Sequence, residues 1–380
     1  FNEGASNNTY SRNQKMVGYS FEHGFNDTFT VRQNLRFSEM KTSQKSVYGT
    51  GIASDGHTLN RGTVVDNERL QNFSVDTQLE SKFATGDVGH TLLTGVDFMR
   101  MRNDINASFG SAPSIDLYNK YHPEYFAFGS AEPYQMNESK QTGIYVQDQA
   151  EWNKWVFTLG GRYDWSKQAT TVRENSYTPT EGYIERNDHQ FTWRGGVNYL
   201  FDNGISPYFS YSQSFEPSAF DLWSNPRVSY KPSKGEQYEA GVKYVPNDMP
   251  VVVTGAVYQL TKTNNLTADP TNPLAQVPAG EIRARGVELE AKAALNANIN
   301  LTASYTYTDA EYTKDTNLKG KTPEQVPEHM ASLWGDYTFN EGPLSGLTLG
   351  TGGRFIGSSY GDPTNTFKVG SAAVMDAVVK

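Results

Sequence analysis

From Asn72 to Phe83 the chain reads NFSVDTQLESKF. Phe73, Val75, Leu79 and Phe83 fall on one side of an extended backbone; Ser74, Asp76, Gln78, Glu80 and Lys82 fall on the other. That is a period of two, whereas helical spacing would scatter the charges around an axis. The run is also long enough for a tilted strand to cross a bilayer. Hydrocarbon against one face and water against the other selects this alternation, and the rest of the fold follows from it.

The pattern recurs along the chain. Phe29, Val31, Leu35 and Phe37 alternate with Thr30, Arg32, Asn34 and Arg36, and Phe157, Leu159, Tyr163 and Trp165 alternate with Thr158, Arg162 and Asp164. Farther on, Val287, Leu289, Ala291 and Ala293 alternate with Glu288, Glu290 and Lys292. Ile299, Leu301, Ala303, Tyr305 and Tyr307 alternate with Asn300, Thr302, Ser304, Thr306 and Thr308. About fifteen such segments can be drawn, each near spanning length.

The connections sort into two kinds. Tight ones lie at His23 to Asp27, Thr85 to Asp87, Asn153-Lys154, Asp202 to Gly204, Pro246 to Pro250 and Asn296 to Asn298, with Gly, Asn, Asp and Pro where turn geometry needs them. Between them run Thr42 to Arg69, Asn103 to Glu138, Ser166 to Asp188, Pro217 to Lys234, Asn265 to Gly280 and Thr313 to Pro327, read as long loops. Short turns on one rim and long loops on the other define an outer-membrane barrel with its long loops outside the cell. The expected fold is all-β, a transmembrane antiparallel up-and-down barrel wall occupying residues 1–380. A soluble sandwich would put an aliphatic core on its apolar face and would not sort its connections this way.

Composition agrees. Only 37% of the 380 residues are hydrophobic, yet 13% are aromatic, which suits a thin wall better than a soluble core and argues against disorder. Trp152 and Trp155 flank a tight turn, and Trp165, Trp193, Tyr199, Phe201, Tyr208 and Tyr211 sit near strand ends, so two aromatic girdles are expected at the lipid boundaries. Inward charges such as Arg32, Arg36, Asp76, Glu80, Glu288 and Glu290 belong to a wet lumen or to contact with a plugging domain. A net charge of −9 gives no electrostatic reason to bind nucleic acid, and the absence of cysteine excludes disulfides and thiolate metal sites. No run of about 18 apolar residues exists to make a membrane-spanning helix. The chain opens on Phe1 and stops at Lys380 inside an alternating run, so it reads as an internal piece of a longer chain.

Catalytic motifs are weak. The histidines at 23, 57, 90, 122, 189 and 329 stand singly, without paired ligand spacing. Gly320-Lys321-Thr322 ends like a phosphate loop, but Asp315 occupies the place of that motif's first glycine. Gly357-Ser358-Ser359-Tyr360-Gly361 matches the nucleophile elbow, but its flanks alternate as strands and no helix follows. An outer-membrane hydrolase acting through Ser359 is a minor alternative, as is a passive diffusion porin, and the chain is read as a non-enzyme. The stretch from Asn103 to Glu138 is richer: it holds Phe109, Tyr118, Tyr121, Tyr125, Phe126, Phe128 and Tyr134 but a single lysine, Lys120, beyond Asp104. Aromatic segments above a barrel mouth suit a bulky ligand of low charge, whereas an anionic ligand would call for arginine clusters.

Extended text, including Phe1 to Ala5, Asn8 to Arg12, Thr28 to Phe37, Leu70 to Phe83, Leu159 to Asp164, Pro232 to Gly235, Gly280 to Glu288 and Ser345 to Arg354, resembles the TonB-dependent siderophore receptors, specifically their ferric hydroxamate branch. The resemblance implies a twenty-two-stranded barrel with an N-terminal plug in its lumen. The plug, the first strands and the last two strands would lie outside residues 1–380. It also implies uptake of ferrichrome-type ferric hydroxamates driven through TonB, with iron as cargo and no resident cofactor. Lipid and lipopolysaccharide would bathe the wall, and phages or bacteriocins would dock on the external loops.

Two ligand-contacting positions carry over from the family: Tyr48, in Ser46-Val47-Tyr48-Gly49, and Phe109, in Asn106-Ala107-Ser108-Phe109-Gly110. The sequence departs from the family at Thr50, where a second tyrosine is usual, and at Ser108, where a tryptophan is usual. The stretch from Thr50 to Arg69 is shorter than in the family and lacks its cysteine pair, with Ala53 at one of those positions.

Overall fold

The computed structural model describes residues 4–119, 123–176, 180–217, 220–221, 228–269, 272–278 and 280–380. Among the described residues fifteen strands form one antiparallel sheet, each paired with the next of the fifteen along the chain, and three two-stranded ribbons lie in the connections. They are β1 (Thr9–Gly24), β2 (Phe29–Ile52), β3 (Thr58–Thr85), β4 (Val88–Asp116), β5 (Glu132–Trp152), β6 (Trp155–Val172), β7 (Gly182–Tyr199) and β8 (Ile205–Glu216). The wall continues with β9 (Ser233–Tyr244), β10 (Val251–Thr263), β11 (Glu281–Ala294), β12 (Ile299–Lys314), β13 (His329–Thr338), β14 (Thr348–Ile356) and β15 (Ala372–Val379). The sheet is open, β1 and β15 each pairing with one neighbour.

The alternation sets the register. Phe37 lies opposite Phe73, Leu35 opposite Val75 and Val31 opposite Leu79, while Arg36–Ser74, Asn34–Asp76 and Arg32–Gln78 pair on the other face. A slip of one residue would turn the polar row into the lipid, so hydrocarbon enforces this pairing. The apolar row continues through Val75–Phe98, Val96–Ile144, Ile144–Tyr163 and Tyr163–Phe191. Past β8 it runs on through Ala240–Val257, Val257–Val287 and Val287–Tyr307. Leu159 on this face is 65% exposed and Leu333 58%. So continuous an apolar surface calls for lipid as its solvent.

The tight turns use local chemistry. Asn26 Oδ1 accepts from the backbone N–H groups of Thr28 and Phe29, and Asn296 Oδ1 accepts in the same way from Asn298 and Ile299. Gly86, Asn153 and Gly204 take φ values of 61°, 53° and 83°, the left-handed region that glycine and asparagine tolerate best.

Two expectations need correction. Most of Thr42 to Arg69 is no loop: β2 runs to Ile52 and β3 starts at Thr58, leaving a tip of only five residues. The first parts of the stretches from Asn103 and Ser166 are likewise strand, as β4 reaches Asp116 and β6 reaches Val172. Outside the bilayer no hydrocarbon demands alternation, so the sequence period fades while the backbone ladder continues, as at Gln44–Asp66 and Lys45–Val65. Tyr208 also leaves the girdle. It pairs with Asn198 and Gly241, on the polar face, whereas Phe209 pairs with Val197 and Ala240 on the lipid face. The rings at Trp155 and Tyr199 (4.7 Å apart), Tyr163 and Trp165 (4.7 Å), and Trp193 and Tyr211 (4.5 Å) do stand on the lipid face.

Candidate functional site

Tyr48 and Phe109 share the lumenal face of the extracellular wall. Tyr48 lies opposite Gly62 on β3, and Phe109 lies opposite Val64, two residues along. Both rings remain open to solvent, at 40% and 39% exposure. Glycine at 62 leaves room for the Tyr48 ring, since a Cβ there would stand 2.9 Å from Thr50 Cγ2 and 3.2 Å from Tyr48 Cζ and Oη. Tyr134 packs edge-on against Phe109 at 5.8 Å, and burial raises its phenol pKa. Ring faces and hydroxyls around an open mouth suit a bulky ligand of low charge. Farther down the same face, burial and the neighbouring Glu68 push the Asp66 carboxyl up to about 6.

The other rings of this region scatter. Tyr118 stacks on His57 at 5.3 Å, Phe126 and Phe128 pack with the buried Ala5, Val47 and Ala112, and Tyr125 is exposed. Lys120, Tyr121 and His122 lie outside the described residues.

The lumenal wall below carries a polar lattice. Arg162 donates to Asp97 and Asp164 at 2.9 and 2.6 Å, and its guanidinium lies 5.6 Å from the centre of the Tyr145 ring. Tyr145 reaches over Gly95 on β4 to donate to Asp76 on β3 at 2.7 Å. Tyr258 crosses Gly286 in the same way to meet Thr308 at 3.1 Å. In both places the glycine provides the room: a Cβ would stand 2.7 Å from Tyr145 Cε2, or 2.6 Å from Tyr258 Oη. Large rings are thereby laid against the wall instead of across the lumen.

The outer face carries a feature that sequence reading missed. Lys15, Lys41, Arg69, Arg100, Lys140 and Lys167 give each of β1 to β6 a cation on the lipid-facing row, toward the mouth end of these strands. Carboxylates are interleaved, with Arg69–Glu39 and Arg100–Glu138 pairs at 2.6 Å. The signal was present: Arg100 continues the apolar row of Val96 and Phe98 in the same alternation. That Arg100, Lys140 and Lys167 stand side by side becomes visible only through the register.

The motif residues sit in strand settings. Ser359 pairs with Val369 in a two-residue ribbon, where a nucleophile elbow would need a strand-to-helix turn. His90 contacts Asp148 at 2.7 Å and stacks on Phe83, and His189 and His329 meet tyrosine hydroxyls. Among the described residues no group of three or more acidic or imidazole side chains is placed to hold a metal.

A sheet of this order, lipid-facing on one side and polar on the other, is a large outer-membrane barrel wall. The family model described as TonB dependent receptor-like, beta-barrel matches residues 1–380, and the chain belongs to that family. It is 64% identical over 405 aligned positions to the ferrichrome outer membrane transporter/phage receptor of Escherichia coli K12, covering 100% of this chain and 53% of that protein. It is 37% identical to the ferrioxamine B receptor of Salmonella typhimurium, covering 97% of this chain and 52% of that protein. The siderophore receptor PiuA from Acinetobacter baumannii superposes with a TM-score of 0.85 at 21% identity, over 99% of this chain and 59% of that one. The chain thus spans about half the length of the curated relatives it matches.

Proposed function

We propose that the chain is the barrel wall of an outer-membrane receptor that captures ferrichrome-type ferric hydroxamates at its outer mouth and imports them with energy transmitted through TonB. Iron enters as cargo inside the chelate. The observation that carries the reading is the placement of Tyr48 and Phe109 on one lumenal wall with their rings open. The similarity to a ferrichrome transporter supports the same substrate class. Ring faces would hold the chelate's apolar surface, and the Tyr48 hydroxyl would meet its carbonyl oxygens. The Arg162, Asp97 and Asp164 lattice and the Tyr145–Asp76 pair would line the path or hold a lumen-filling plug, whose state differential contacts would bias. TonB would engage sequence outside residues 1–380.

The cation belt on β1 to β6 is proposed to bind the phosphates of lipopolysaccharide, because it continues the lipid-facing row on neighbouring strands toward the mouth end of the wall. The exposed tips near Tyr118 and Tyr125 offer docking points for phages or bacteriocins. The test is a full-length receptor carrying Tyr48→Ala and Phe109→Ala. It should remain in the outer membrane and lose affinity for a ferrichrome-type chelate. Unchanged binding in that double variant would count against the site.

A further inference from the structure

Two consecutive asparagines stand just ahead of β1, and each side chain does the work of a peptide group. Asn8 Nδ2 donates to the Val47 carbonyl at 3.1 Å, and its Oδ1 accepts from the Val47 N–H at 2.9 Å. Asn7 Nδ2 donates to the Phe126 carbonyl at 2.9 Å, and its Oδ1 accepts from the Phe126 N–H at 3.0 Å. A carboxamide carries the same donor and acceptor as a backbone amide, so each forms a two-bond rung. The β1–β2 backbone ladder ends at Thr9–Lys45, and Asn8 supplies the next rung with a side chain. A backbone bond from Ser6 N–H to the Glu124 carbonyl, 2.9 Å, runs parallel. Ala5, Val47 and Ala112 are buried beneath this junction, with Phe126 and Phe128 packed against them.

We propose that Asn7 and Asn8 are positioning residues for the ligand-capturing mouth, holding three extracellular segments together so that Tyr48 is set before a ligand arrives. Val47 is the residue before Tyr48, and Phe126 belongs to the segment that follows the strand of Phe109. Ordering loops at the moment of binding costs free energy, and a clip closed in advance removes that cost from the binding step. Aspartate could not serve, because it has no N–H to give and would repel the Val47 carbonyl. The inference rests on the reading of Tyr48 and Phe109 as ligand contacts.

The experiment measures equilibrium binding of a ferrichrome-type chelate to the full-length receptor in outer membranes. Variants are Asn8→Ala, Asn8→Asp, Tyr48→Ala and the Asn8→Ala/Tyr48→Ala pair, with gel mobility of the unheated barrel confirming assembly. Asn8→Ala should weaken binding roughly tenfold, equivalent to about 1.4 kcal/mol, and Asn8→Asp should be no better. Because Asn8 acts through Tyr48, the pair should bind no more weakly than Tyr48→Ala alone. Full affinity in Asn8→Ala, rescue by Asn8→Asp, or an additive loss in the pair would overturn the inference while leaving the ligand site standing. Full affinity in Tyr48→Ala would remove the ligand site itself, and this inference with it.

Discussion

Replacing Gly95 by alanine tests whether the lumenal lattice holds the wall together. The new methyl group would sit 2.7 Å from Tyr145 Cε2, well inside contact distance, so the ring must leave its seat. With it goes the hydrogen bond to Asp76 and the Arg162–Tyr145 contact. A hydrogen bond to a charged group is worth about 1.5–3 kcal/mol net. An accessible cation–π contact adds about 0.5–1 kcal/mol. Hydration of the freed Asp76 and the gain of about 0.5 kcal/mol on leaving glycine offset part of this, so a loss of about 2 kcal/mol is expected. Gly89, on the same strand, is the control, since a Cβ there meets nothing within 4 Å. Guanidinium unfolding of the full-length receptor in lipid vesicles should show Gly95→Ala destabilised and Gly89→Ala within about 0.5 kcal/mol of the parent. In a Tyr145→Ala background the cost of Gly95→Ala should vanish. Equal stability of the two alanine variants would refute the seat-and-ring argument.

Three further outcomes follow from the same geometry. Asp66 has a carboxyl raised from 3.8 to about 6, so the folded chain holds that proton more tightly than the unfolded one. Stability should therefore fall as pH rises from about 4 through 6, and melting at pH 4.5, 6 and 7.5 should show that slope flattened in Asp66→Asn. Leu159→Arg should cost up to about 2–4 kcal/mol because it puts a cation in hydrocarbon, while Thr158→Arg on the lumenal row costs under about 1; urea titration in vesicles reads the difference. Neutralising Arg69, Arg100 and Lys140 to glutamine should lower retention of anionic lipid by about 1 kcal/mol per residue and weaken its salt dependence, as measured by phosphate assay on the purified receptor.

Much of the fold could be read from residues such as Phe73, Val75 and Leu79, because lipid imposes its demand one residue at a time. Asn26 and Asn296 likewise announce their turns through a purely local bond. The sequence is silent where the bilayer stops acting: Gln44 and Asp66 continue a ladder without alternation, and backbone hydrogen bonds leave no mark on composition. An aromatic near a turn, such as Tyr208, suits either face, and only its pairing with Gly241 shows which one it takes. At the mouth, Tyr48 and Phe109 are candidates that rest on family resemblance, and the structure adds that they share a wall. The Asn7–Phe126 rung was invisible, since its partners are 119 residues apart and neither belongs to a motif.

One row of side chains in this wall faces hydrocarbon and the adjacent row does not. The chain has no cysteine, so single cysteines placed in turn from 72 to 80 in the full-length receptor can each carry a nitroxide without background. Collision with dissolved oxygen should peak at 73, 75, 77 and 79 and dip at 74, 76 and 78. Peaks at 74, 76 and 78, or no alternation at all, would contradict the account.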